Sequence, residues 1–231
     1  MLALLAAFLV GLPSPPGPLA GAPLAGAPLP SVAAPAAPTV GDSLTYYYAR
    51  QDTSGVDRLY RRKARTRLDR LLCLYRLFPM TLDEGYLDAI PSSENVRSAR
   101  ELALISALWA YKAAHGPAWH LPTYGRRSER ILERALERDP DEPYALLVKG
   151  QGLYYKPSWF GGDAAEAQRT FERLRQTIRR RPTPGIHPFE AEVWIWMAVR
   201  KQDEDRGAAL RRRLLSQSPP PLFRQFLIDP P

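Results

Sequence analysis

The side chains most able to do acid-base or metal chemistry here are three histidines, His115, His120 and His187. A metal site needs ligands converging from one helix face or one turn. His115 and His120 are separated by Gly116 and Pro117, which punctuate the end of a helix, and His187 lies in a proline-flanked loop. No serine-centred elbow or paired histidine-glutamate motif accompanies them. They read as capping and surface groups. The lone cysteine, Cys73, stands in the apolar run Leu71, Leu72, Cys73, Leu74, Tyr75 and has no second cysteine to pair with. It reads as a small buried hydrophobe. The Gly161, Gly162, Asp163 turn invites a phosphate-loop reading, but the lysine and hydroxyl that such a loop needs at its helix start are missing. Asp163 followed by Glu166 predicts instead a helix N-cap with a reciprocal glutamate, the two glycines supplying positive φ. These residues form no catalytic constellation, so a non-catalytic protein without cofactor or metal is expected.

Aromatic residues are the better candidates for binding. Tyr154, Tyr155, Trp159 and Phe160 surround the glycine turn, Trp119 and Tyr124 stand in another break, and Trp194 and Trp196 lie on a later helix. Two residues apart, Trp194 and Trp196 cannot share a helix face, so one is expected to contact loop rather than core. If the two breaks cover the same end of the molecule, their rings wall a pocket; otherwise they plug one edge of the core. The expected ligand or partner residues are Trp119, Tyr124, Tyr154, Tyr155, Trp159, Phe160 and Trp196.

The elements that must position these residues are helices. Val56, Leu59, Tyr60, Ala64, Leu68, Leu71, Leu72 and Tyr75 recur at steps of three and four, predicting one long helix that ends at Pro79. Thr81 with Glu84 predicts a capping box for a short turn after it. Further helices are predicted from about Ser93 to His115, from about Gly125 to Arg138 and from near Pro143. Three more follow, around Ala167 to Ile178, Val193 to Ala198 and Ala208 to Leu215, before a short apolar tail, Leu222 to Ile228. No alternating strand pattern appears, so the class is all-α.

Residues 1–41 differ in texture from the rest: they carry no charged side chain and contain nine of the 24 prolines. Met1 to Leu12 is an apolar run of the length of a secretory signal, too short to span a bilayer. The proline, alanine and glycine that follow can neither continue a helix nor bury much surface. Residues 1–41 are therefore expected to be an export signal and disordered leader, and residues 42–231 a single helical domain of a periplasmic or secreted protein. No transmembrane segment is expected in the mature chain. The net charge of +8 falls entirely on the second part. Its arginines alternate with acids, as in Glu129, Arg130, Glu133, Arg134, Glu137 and Arg138, which describes a solvated helix face. The runs Arg179 to Arg181 and Arg211 to Arg213 lie near helix C-termini, where the dipole favours cations. Nucleic acid is not an expected partner of an exported chain.

Ser128, Leu132, Ala135 and Pro140 are spaced by four, three and five; Ala167, Phe171 and Leu174 keep the first two steps, and Ala208, Leu215 and Pro220 keep seven and five. With Leu136, Glu137 and Asp139, then Ala145 and Gly150, this pattern resembles the second helix of a tetratricopeptide repeat running into the next repeat. The likeness covers roughly Ser93 to Pro220, and the segment Tyr154 to Asp163 is similar to a loop of exported bacterial repeat proteins. The longer breaks and the incomplete first-helix aromatic set depart from the family. The resemblance implies antiparallel hairpins stacked as an irregular right-handed superhelix that binds a protein or peptide, self-association being one form this could take. There is a fainter likeness to periplasmic helical accessory subunits of some solute transporters. That reading would make the aromatic breaks a small-molecule pocket.

Overall fold

The computed structural model describes residues 38–88 and 90–230; the predicted signal and most of the leader lie outside them. The described residues form ten α-helices and no strand. These are α1 Val40–Ala49, α2 Thr53–Arg62, α3 Arg67–Thr81, α4 Ala99–His115 and α5 Leu121–Arg138, followed by α6 Pro143–Tyr155, α7 Ala164–Arg180, α8 Pro188–Gln202, α9 Glu204–Leu215 and α10 Pro221–Ile228.

Several boundaries differ from the periodicity, each for a local reason. The single long helix expected over 56–75 is two, because Thr66 starts a new one: its hydroxyl accepts the Asp69 N–H at 3.0 Å while the Asp69 carboxylate takes the Thr66 N–H. Pro79 lies inside the last turn of α3 rather than ending it, and the helix stops where Leu82 turns left-handed at φ 55°. Thr81 forms no capping box with Glu84, although its hydroxyl accepts the Asp83 N–H at 3.2 Å. Its hydroxyl donates back to the Leu77 carbonyl at 2.9 Å, and Asp83 caps the 3-10 turn Glu84–Leu87 instead. Ser98, not Ser93, caps α4. Helix α5 starts at Leu121 with Pro122 in its first turn, which shortens the break before it. Helix α1 begins at Val40, capped by Thr39, within the stretch read as leader.

Helices α4 and α5, α6 and α7, and α8 and α9 pair as hairpins, and α7 packs broadly on α8 while α4 packs on α6. One continuous apolar core runs through all of them. Small residues let the hairpins close. Ser106 and Ser128 exchange hydrogen bonds, each hydroxyl donating to the other's carbonyl at 2.8 and 2.9 Å, both residues buried. A side chain at Gly150 would strike the Phe171 ring, which stacks on Trp194 of the next hairpin at 5.4 Å. Ala167 is buried as the spacing requires.

In the third hairpin the expected register is off by one. Ala208 is exposed, and Gly207 takes the contact position. A Cβ at Gly207 would come within 2.7 Å of the Arg200 Cα, so the α8 and α9 backbones approach more closely than alanine allows. Gly207, buried Leu214 and Pro219 keep the same steps of seven and five as Ser128, Ala135 and Pro140. The contact therefore predicts that Gly207→Leu destabilises the domain by roughly 2 kcal/mol or more, as overpacking does, whereas Ala208→Leu changes it by less than about 0.5 kcal/mol. Urea unfolding of both variants checks this.

The first and last described helices fold back onto the stack. Helix α1 packs on α2 and α3 and reaches the α7–α8 loop, where the Thr45 hydroxyl accepts the Gly185 N–H at 2.8 Å. Helix α10 packs on α8, α9 and α1. At their junction the Gln51 amide donates to the Gln225 carbonyl oxygen at 2.6 Å.

Candidate functional site

A single arginine interrupts the apolar run of α3. Arg76 is only 2% exposed, and Glu190, in the first turn of α8, only 3%. The two pair in bidentate geometry at 2.7 and 2.8 Å, and the same guanidinium donates to the Gly185 carbonyl at 2.7 Å. Tyr48 of α1 and Tyr75 of α3 lie under the guanidinium, their ring centroids 4.0 and 4.8 Å from its carbon. Tyr75 stacks on Tyr111 of α4 at 5.8 Å and meets Tyr144 of α6 edge-on at 5.9 Å. The Tyr144 hydroxyl donates to the Pro184 carbonyl at 3.1 Å. One ion pair and a tyrosine cluster thus join α1, α3, α4, α6, α8 and the α7–α8 loop.

Beside this cluster a cleft of about 50 Å³ opens on the face made by α3, α4, α6 and α8, with α1 on one flank and Leu222 and Phe226 of α10 on another. Its polar groups are Arg76, Gln151 and the phenols of Tyr48, Tyr75, Tyr111 and Tyr155, and no carboxylate or lysine lines it. Burial pushes the Tyr48 phenol up to about 12 and raises those of Tyr75, Tyr111 and Tyr155. All four therefore remain protonated near neutral pH. The Arg76 Nε–H is buried without a hydrogen-bond acceptor.

The two aromatic breaks do not converge on one pocket. Trp119, Trp159 and Phe160 point to solvent, 75%, 84% and 55% exposed. Lys156 pairs with Glu129 of α5, so the two breaks sit on neighbouring hairpins at the same end of the stack. Of the other expected binding residues, Tyr155 lines the cleft. Tyr154 is buried, edge-on to Trp194 at 6.0 Å. Tyr124 packs against Trp109 at 5.2 Å and borders a separate hollow of about 220 Å³ with Lys112, His115 and His120. Trp196 is removed from any surface: it is buried, and its indole N–H donates to the Gly207 carbonyl at 3.0 Å. Trp194 is buried as well, so neither tryptophan is left on a loop.

Of the two glycines expected to supply positive φ, only Gly161 does. Gly161 has φ 85°, a Cβ on Gly162 would overlap the Lys156 carbonyl, and the Asp163 carboxylate accepts the N–H groups of Ala165 and Glu166, both at 2.9 Å. The expected reciprocal bond from Glu166 does not form. The Asp163 N–H goes to the Leu153 carbonyl at 3.0 Å, and Glu166 pairs with Lys149 and Arg169. Cys73 is buried, and burial raises its thiol to about 12, which keeps it unreactive. No cluster of three or more His, Cys, Asp or Glu among the described residues could hold a metal. None of the described helices is long and apolar enough to cross a membrane.

Tyr48, Tyr75, Arg76, Tyr111 and Gln151 were not among the binding residues expected from sequence. A usable signal existed in the charged residues that stand on otherwise apolar helix faces, Arg76 between Tyr75 and Leu77 and Glu190 between Phe189 and Ala191. No family model, curated protein or solved structure matches this chain. The class that fold and site define is accordingly the broad one, an all-α protein of packed helix hairpins closed by its own terminal helices.

Removing one partner of a buried pair strands the other charge, so Glu190→Ala should cost about 3–5 kcal/mol, while the paired change Arg76→Met with Glu190→Leu costs less than that single change. Chemical denaturation of the three proteins measures both. The histidines add a pH effect. Burial lowers His115 and His187 below the ordinary 6.5, opposed by Glu84 and Glu190 respectively. The unfolded chain therefore binds protons first, and the contribution of both groups, full above pH 6.5, is lost as pH falls below it. Nδ1 of His187 accepts the Phe189 N–H at 3.1 Å, a capping bond that asparagine can keep. Urea midpoints should fall from pH 7 to 5, and less steeply in His187→Asn.

Proposed function

We propose that this protein is a non-catalytic binding scaffold of the tetratricopeptide-like type, exported to the cell envelope, and that it engages a protein partner through the edge carrying Trp119, Trp159 and Phe160. The observation that carries this reading is the exposure of three large rings on adjacent breaks of neighbouring hairpins. Large aromatics are normally covered, and Trp above all is enriched where interfaces concentrate their binding energy. The breaks are also well anchored, by the Gly161–Gly162 turn on one side and by the Tyr124 contact with Trp109 on the other. A rigidly presented ring loses little entropy on binding. The spacing Ser128, Ala135, Pro140, kept by Gly207, Leu214 and Pro219, supports the repeat assignment. Export rests on the apolar run Met1 to Leu12. Helices α1 and α10 pack against α3 and α8 and flank the cleft between them, which directs the reading to the edge.

A photo-crosslinking residue placed at Trp159, and as control at exposed Arg212 on α9, tests this in intact cells of the source. A discrete crosslinked protein is expected at position 159 alone. With the crosslinker kept at position 159, the double variant Trp119→Ala, Phe160→Ala should lower its capture at least about tenfold, the loss of some 1.4 kcal/mol or more, with helicity by circular dichroism unchanged. Equal crosslinking at 159 and 212, or capture indifferent to the double change, would contradict the edge.

A further inference from the structure

The cleft beneath α10 is a site of different character from the aromatic edge, and its chemistry is one-sided. Its lining contains a guanidinium, an amide and four phenols, but no carboxylate. All four phenols keep their protons at neutral pH; Tyr75 gives its own to the Gln151 carbonyl oxygen and Tyr111 to the Tyr75 carbonyl, which leaves Tyr48 and Tyr155 to donate into the cleft. Glu190, which balances the Arg76 charge, stands behind the guanidinium and does not line the cleft. The Tyr75 hydroxyl donates to the Gln151 carbonyl oxygen at 3.3 Å, which fixes that amide with its nitrogen free to donate elsewhere. The Arg76 Nε–H, on a side chain 2% exposed, lacks an acceptor. A buried donor of this kind favours any ligand that accepts from it. The rest of the lining is Pro79, Met80, Leu222 and Phe226 with the Trp194 ring.

We propose that this cleft binds a short aliphatic carboxylate, its oxygens accepting from Arg76 Nε, Gln151 and Tyr155 and its hydrocarbon end lying against Met80, Trp194 and Phe226. A wall of donors without carboxylates selects an acceptor-only head group, and a charged acceptor makes the stronger hydrogen bond to the guanidinium Nε–H that Glu190 leaves open. The volume sets the size. About 50 Å³ holds on the order of four water-sized spheres, which suits an acid of roughly two to four carbons and excludes a long acyl chain. The site is independent of the aromatic edge and stands or falls separately from it.

The test uses the full chain with sodium butyrate as probe, butyramide as its uncharged isostere and sodium chloride as the ionic control. Butyrate should raise the thermal midpoint with saturable, millimolar dependence, as a ligand of about six heavy atoms allows, and should show saturation transfer from the protein by NMR. Butyramide should bind roughly tenfold more weakly, since hydrogen bonds to a charged group are the stronger ones. Tyr155→Phe and Gln151→Leu each remove one donor from the cleft wall, and each should weaken butyrate about fivefold or more. The proposal is overturned if butyrate behaves as sodium chloride does, if butyrate and butyramide bind alike, or if both folded variants bind butyrate as tightly as the parent.

Discussion

Removing a guanidinium and a carboxylate from water is costly, and Arg76 with Glu190 can be buried only because each element around them supplies something. The first helix supplies the Tyr48 ring, the third carries the arginine, the loop before α8 offers the Gly185 carbonyl, and α8 carries the glutamate. The pair therefore fixes where α3 lies against α8, joining residues 114 positions apart in elements that apolar packing alone would leave free to slide. Much follows from that placement. With α3 and α8 registered, α4 and α6 fill the space between, their Tyr111 and Tyr144 meeting Tyr75. The cleft is what remains where these helices stop short of α10.

Helical class and most helix cores were legible in the residues because period-3.6 burial is a local property, written at each position. The register of α9 was not. Ala208 and Gly207 are both small, and pattern alone favours the alanine; only the approach of the α8 backbone decides for glycine. The break between α2 and α3 was obscured because Leu59, Ala64 and Leu68 continue the apolar rhythm across it, while Thr66 and Asp69 use their side chains to start afresh. Likewise Pro79 reads as a stop, yet near the C-terminal end of α3 it is accommodated within the helix.

The candidate site was legible only in part. Loop aromatics are conspicuous in a sequence, and Trp119, Trp159 and Phe160 do stand at the surface. Tyr154 and Trp196 are equally conspicuous and lie in the core, since a ring's type says nothing about which way its helix faces. The cleft is assembled from six helices whose meeting depends on the whole fold. Its one advance sign was electrical: an arginine and a glutamate placed where apolar neighbours demand burial must find each other.

The bond between Gln51 and Gln225 ties the turn after α1 to α10. A linear stack of hairpins ordinarily frays from its ends, each terminal unit peeling away while the middle survives. Here neither end can peel without breaking contact with the other and uncovering the arginine. The architecture behaves as a clasped ring rather than an open ladder, so its melting should be all-or-none, and loss of either terminal helix should be felt at the opposite end of the chain.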